Sequence, residues 1–254
     1  MSKPVICGSN LLRPVSRLAK IITTSGYKSQ FPPDNAFSGI ETEGWVHDLP
    51  GQAVLTLDTL SQQSCDYWAI RGHFDSAVLQ TSSDNITFTD VSLPVVGNGT
   101  VKLVLFNEFV GRYYRFVINR FSTEPEVELL SLGPRIEVPV GMRPGFQPHA
   151  LASVNNASTT ETNTDQFLGT TSRPGKPTSQ INLDYLPETW VRQTWVPFIK
   201  QQRNQAFVYS WDHENSPEDA IYCWITDRNI PTTYRQNRNF MRVRINVKGA
   251  ASAN

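Results

Sequence analysis

The first 135 residues of the chain repeat with a period of two. Ala53, Leu55 and Leu57 share one face of the run Ala53–Asp58. Tyr114, Phe116 and Ile118 share one face of Tyr113–Asn119, with Tyr113, Arg115 and Asn119 opposite. Successive side chains of an extended strand point to opposite faces, so both runs predict half-buried strands. Val101–Phe106 is apolar on both faces, which predicts a strand covered on two sides. Turn clusters separate these runs: Phe31-Pro-Pro-Asp-Asn, Ser82-Ser-Asp-Asn and Gly97-Asn-Gly. No helix-period segment interrupts them, and short strands with turn-rich links predict a sandwich or jelly roll.

The pattern changes after residue 137. Pro139, Gly141, Pro144, Gly145 and Pro148 lead into Ser153–Thr164, rich in Asn, Ser and Thr. That composition predicts a boundary or an extended arm, mobile or ordered only against a neighbour. Beyond it, Trp190, Val191, Thr194, Trp195, Phe198, Ile199 and Gln202 recur at three- and four-residue steps, the stripe of an amphipathic helix. Pro197 is expected to kink or end that helix near Trp195. Strands resume at Phe207–Trp211, Ile221–Thr226 and Phe240–Val247. The last places Met241, Val243, Ile245 and Val247 inward, and Phe240, Arg242, Arg244 and Asn246 outward. The expected fold class is therefore mainly β. A jelly roll spans 1–137, a linker or arm 138–165, and a smaller β-rich α+β unit 166–254.

Composition narrows the function classes. The 254 residues suffice for one large core or two ordinary ones. With 6 Trp, 8 Tyr and 13 Phe, the chain has enough aromatic area to fold. Its 23 basic and 23 acidic residues balance without a Lys/Arg block, which argues against nucleic acid as a partner. Met1–Lys20 lacks a continuous apolar core and no later run has membrane-spanning length, so neither a secretion signal nor membrane insertion is expected. The glycosylation-like matches at Asn85, Asn98 and Asn156 then read as turns. Cys7, Cys65 and Cys223 are odd in number and lack CxxC spacing, so no zinc site or disulfide scaffold is expected. Cys223 reads as a small core residue of a chain made in a reducing compartment.

Catalytic signatures are missing. Gly169–Lys176 approaches a phosphate loop, but five residues separate its glycines and Pro177 stands where the magnesium-holding hydroxyl belongs. Neither Gly-x-Ser-x-Gly nor His-Glu-x-x-His occurs. Asp212, Glu214, Glu218 and Asp219 surround His213, yet Asn215 and Pro217 mark this as a solvated loop. No catalytic residue, metal or cofactor is expected.

Two resemblances add to this reading. Pro33-Asp-Asn-Ala-Phe-Ser-Gly39 followed by Trp45 resembles the opening signature of discoidin-like domains, the C-type domains of coagulation factors. Leu55–Asp58, Tyr67–Gly72, Gln80–Asp84 with Phe88, and Gly111–Arg115 resemble that family's later landmarks, in order, over roughly residues 20–135. Ser38 replaces the usual Asp, and Thr59 stands near where a Gly belongs. The resemblance implies a sandwich whose loops at one end bind sugars, lipids or proteins. Here those loops would hold Trp45, His47, Arg71 and His73, with an aromatic face for sugar C–H surfaces and donors for hydroxyls. Asn35 would serve loop backbone groups, and Arg112 and Arg115 would pair at the sheet edge.

The whole layout, with Trp190, Trp195-Val-Pro-Phe198 and Phe207–Asp212, resembles tail-tip proteins of long-tailed bacteriophages. That implies a non-enzymatic virion protein made in the host cytoplasm. It would assemble with itself in a ring or hub and with other tail proteins, through Trp190, Trp195 and Phe198. Host-surface glycan is a further expected partner. The alternative is a stand-alone lectin-like protein, and a third reading is an accessory to glycan-processing chemistry on another chain.

Overall fold

The structure, a computed structural model, describes residues 3–12, 19–40, 42–142, 146, 148, 154–161, 167–175, 178–202, 204–227, 234–235 and 240–249. The first half holds β1 (Val5–Cys7), β2 (Lys20–Thr24), helix α1 (Asn35–Ser38), β3 (Trp45–Val46) and β4 (Gly51–Ser82). It continues with β5 (Thr89–Asp90), β6 (Val95–Asn98), β7 (Lys102–Arg120), β8 (Glu126–Gly133) and β9 (Ile136–Glu137). β4 and β7 are long and bend, so each serves two facing antiparallel layers. The first layer runs β2, residues 51–58 of β4, residues 113–120 of β7, residues 76–82 of β4, then β5. The second runs β3, β8, residues 67–73 of β4, then residues 102–105 of β7.

Alternation fills the space between the layers. Leu55, Leu57, Leu79, Phe116 and Ile118 meet Trp68, Ile70, Leu130 and Leu132 there. The Trp68 and Phe116 rings pack with centroids 6.0 Å apart. Each large apolar side chain so buried contributes roughly 1.5–3 kcal/mol relative to exposure. The sequence landmarks act as scaffold. Asn35 donates through Nδ2 to the Gly44 carbonyl at 3.2 Å, and Gly39 ends α1 at φ 80°, a conformation that favours glycine.

The second half holds a ribbon of β10 (Val154–Glu161) and β11 (Phe167–Gly175). Residues 154–161, expected within a linker or arm, are thus strand. Next come β12 (Thr178–Pro187), α2 (Glu188–Trp190), a π-helical turn (Val191–Trp195) and α3 (Val196–Gln202). β13 (Ala206–Ser210), β14 (Ile221–Ile225), β15 (Tyr234–Arg235) and β16 (Phe240–Gly249) complete it. Pro197 does not end the helix. The Val196 N–H bonds the Val191 carbonyl across five residues, and this wider turn carries the chain past the proline into α3.

The third sheet runs β12-β16-β14-β13-β1-β9, so the chain's first strand pairs with one from its second half. One face of this sheet carries Ile181, Leu183, Phe207, Cys223, Val243, Ile245 and Val247 against Trp195, Phe198 and Ile199 of the helix. The other face places Val5, Cys7, Val208 and Tyr222 against Tyr67, Ala69, Leu103 and Leu129 on the outside of the second jelly-roll layer. The molecule is therefore mainly β, a jelly roll carrying a smaller sheet with one helix on it. Val101–Phe106, apart from Lys102, is apolar on both sides because the jelly-roll core lies on one side and the third sheet on the other. At this seam Leu11 N–H donates to the Leu132 carbonyl at 2.9 Å. A Cβ on Gly133 would collide with the Ser9 carbonyl oxygen, so the close approach needs glycine there.

Candidate functional site

The register places one set of jelly-roll loops at the end bearing Gly51, Arg120 and Ser76 of the first layer and Val46, Glu126 and His73 of the second. Several contacts tie these loops together. Lys28 Nζ pairs with Glu124 Oε1 at 3.1 Å. The Glu124 carboxyl is held below its ordinary range first by its own backbone N–H and then by Lys28. Phe121 N–H donates to Asp75 Oδ2 at 2.9 Å, and His47 N–H donates to the Pro125 carbonyl at 3.0 Å. A Cβ on Gly26 would run into the Asp48 carboxylate, which shows how closely the 25–28 and 47–49 segments approach. On this tied framework Phe121 is 72% exposed, Tyr27 43% and Phe31 37%, with Leu49 also exposed. Exposed ring faces can take the C–H surfaces of a ligand such as a sugar, and the charged groups beside them can take its hydroxyls.

The four residues expected from the sequence lie at this same end, but they are used differently. Trp45 is 1% exposed, so its ring has no open face for a sugar, and the stacking role expected of it is corrected to a core role. Its Nε1 is buried without a hydrogen-bond partner. His47 is also buried; its Nδ1 lies 2.7 Å from the Leu49 carbonyl, and its buried Nε2 has no hydrogen-bond partner. Arg71 is committed within the fold, pairing with Glu128 at 2.8 Å and donating to the Gly99 carbonyl at 3.1 Å. His73 is half-buried on β4, between Asn98 of β6 and Glu126 of β8. Sequence reasoning missed Tyr27, Phe31 and Phe121. The signal for Phe121 was parity: even positions 114, 116 and 118 face the core, so an aromatic at 121 faces away.

The expected assembly residues turn inward. Trp195 and Phe198 are buried in the core beneath the helix, and only Trp190 is partly open, stacked on Trp195 with centroids 6.2 Å apart. An aromatic stripe on an amphipathic helix fits a core or an interface equally well until its partner is known. Here the third sheet is that partner. The acidic loop around His213 holds itself together, with Asn215 donating to Asp212 and Trp211 Nε1 donating to Asp219 at 2.9 Å. Among the described residues, no group of three or more His, Cys, Asp or Glu could hold a metal ion. Also among them, no helix is long and apolar enough to cross a membrane.

No family model matches the chain, and no curated protein matches it. Solved structures do resemble part of it. Chitosan-binding module 1 of a chitosanase/glucanase from Paenibacillus sp. IK-5 aligns at 18% identity and TM-score 0.43, over 49% of this chain and 98% of that one. CpGH89CBM32-5 from Clostridium perfringens, in complex with GalNAc-β-1,3-galactose, aligns at 16% and 0.39, over 46% and 95%. A GH29 fucosidase from Ruminococcus gnavus aligns at 13% and 0.45, over 50% of this chain but 27% of that one.

Proposed function

We propose that the chain is a non-enzymatic glycan-binding protein whose jelly roll presents its binding surface at the loop end built around Tyr27, Phe31 and Phe121. The observation that carries this reading is the exposure of three aromatic rings on loops cross-tied by Lys28–Glu124 and by Phe121–Asp75. Rings held out on a braced framework lose little freedom on binding, and so spend less of the contact energy on ordering. The discoidin-like landmarks in the sequence support the same end of the sandwich as the binding end.

The test is retention of the full chain on an array of immobilised purified oligosaccharides. Phe121→Ala should weaken retention about tenfold, a change of about 1.4 kcal/mol, with the thermal midpoint unchanged. A full chain that retains no oligosaccharide, or retention indifferent to Phe121→Ala, would end this reading. Assembly in a ring, as a bacteriophage tail subunit in the virion, is the alternative. It predicts a native mass of several copies, and a clean monomer counts against it.

A further inference from the structure

β12 and β16 run side by side from Thr178↔Lys248 to Pro187↔Phe240, and their two faces differ. Ile181, Leu183, Val243, Ile245 and Val247 fill the core under the helix. The alternate residues Gln180, Asn182, Arg244 and Asn246 therefore point the other way, on the side where neighbouring β13 and β14 meet the jelly roll. Three of them form one directed chain of hydrogen bonds. Asn182 Nδ2 donates to Gln180 Oε1 at 3.0 Å, and Gln180 Nε2 donates to Asn246 Oδ1 at 2.8 Å. Asn246 Nδ2 donates to Asp227 Oδ1 at 2.8 Å, and the Asn246 backbone N–H binds the other Asp227 oxygen at 2.9 Å. Asn246 is exposed and Gln180 and Asn182 are half-buried, and each amide is held in one orientation with a second N–H that can meet an incoming acceptor. Exposed amides ordinarily lose rotamer freedom when they bind, and a row already fixed loses less.

At the far end of the same strand pair stands an aromatic pair with an unusual backbone. Tyr185 has φ 58°, at the point where the register slips by one residue between Leu183 and Leu186. Bulges of this kind favour glycine at the left-handed position. The tyrosine is nonetheless 57% exposed, and its ring meets the exposed Phe240 ring near-perpendicularly, with centroids 6.3 Å apart. A bulky side chain kept in a strained conformation and left in solvent contributes little to the core.

The geometry points to a glycan-binding platform on β12–β16, separate from the sandwich end and sharing none of its residues. Tyr185 and Phe240 supply ring surface for sugar C–H faces, and Gln180, Asn182, Asn246 and Arg244 supply donors and acceptors for hydroxyls. Gln180 to Tyr185 spans roughly 16 Å of strand at about 3.3 Å per residue, room for an extended oligosaccharide rather than one ring.

The experiment uses the full chain on the same oligosaccharide array, with native mass measured in parallel. Phe121→Ala should leave a residual set of retained oligosaccharides. Adding Tyr185→Gly, or Gln180→Ala with Asn182→Ala, should lower that residual signal about tenfold or more. Tyr185→Gly should do so with an unchanged or higher thermal midpoint, which separates lost contact from lost fold. If Phe121→Ala alone removes every signal, the platform is wrong and the sandwich-end reading stands. Residual retention untouched by the β12–β16 variants also overturns it. If the chain is oligomeric and Tyr185→Gly disperses it without changing retention, the surface is a contact between copies. If the full chain retains nothing, both readings fall.

Discussion

Arg112 closes a two-bond fork on Asp58, with Nε and Nη2 each 2.7 Å from a carboxylate oxygen. The same carboxylate accepts the Leu60 N–H at 2.7 Å, where the turn takes φ 61° at an exposed leucine. The Arg112 hydrogen bonds, foremost, hold the Asp58 carboxyl below its usual range. A carboxyl depressed in the folded state contributes stability above its unfolded value of about 3.9 and loses it as pH falls through the folded value. Arg112→Ala should therefore lower the thermal midpoint at neutral pH, with the gap to the parent closing as pH falls below about 4. A gap constant with pH would mean that the fork contributes through packing alone. The Asp84 carboxyl has no such cation and is pulled down to about 2 by the backbone N–H groups of Ile86 and Thr87. Tyr185 shows the opposite balance. A left-handed backbone costs a side-chain-bearing residue roughly 1–2 kcal/mol, and an aromatic pair returns about 0.5–1.5 kcal/mol. Tyr185→Gly is thus close to neutral for the fold, which makes it a clean probe of binding.

The helix that follows β12 shows how an element's partner decides the meaning of its stripe. Trp195, Phe198 and Ile199 sit beneath it against the third sheet, and the Trp195–Phe198 ring centroids are 5.6 Å apart. Trp195→Ala should remove this packing and destabilise the chain by about 3–5 kcal/mol in denaturant unfolding, with native mass unchanged. A variant that changed mass while keeping its stability would return Trp195 to the interface role expected from the sequence. The stripe itself was legible at three- and four-residue steps. The π turn was not, because it arises from accommodating Pro197 inside a helix whose two ends are both held by the core. β12 was also missed: its clearest period-two signal is Ile181 and Leu183, and a bulge breaks it immediately afterwards.

At the scale of the molecule, the two halves share a buried seam. Tyr67, Ala69, Leu103 and Leu129 on the jelly roll meet Val5, Cys7, Val208 and Tyr222, and β1 joins the third sheet from the opposite end of the chain. A jelly roll separated from the second half would present that face to water. The full chain should therefore unfold in one calorimetric transition, and Leu103→Asp should lower its midpoint steeply by burying an uncompensated charge. Two resolved transitions in the parent would show that the seam does not couple the halves.

Local alternation was enough to determine the β class, the inward faces of 53–58, 113–119 and 240–247, and the two-sided covering of 101–106, because side-chain parity in a strand depends only on neighbouring residues. The turn at Asn35–Gly39 and a pairing of Arg112 at the sheet edge were likewise readable from short motifs, but the choice of Asp58 as its partner was not. Which aromatics are open was not. Trp45 and Phe121 both lie near strand ends, and only the packing of the second layer buries the first while leaving the second exposed. The inward turn of Trp195 and Phe198, the pairing of β1 with β13 and the amide row on β12–β16 all depend on contacts between residues far apart in the chain. No local pattern encodes those, so the tertiary structure alone decided them.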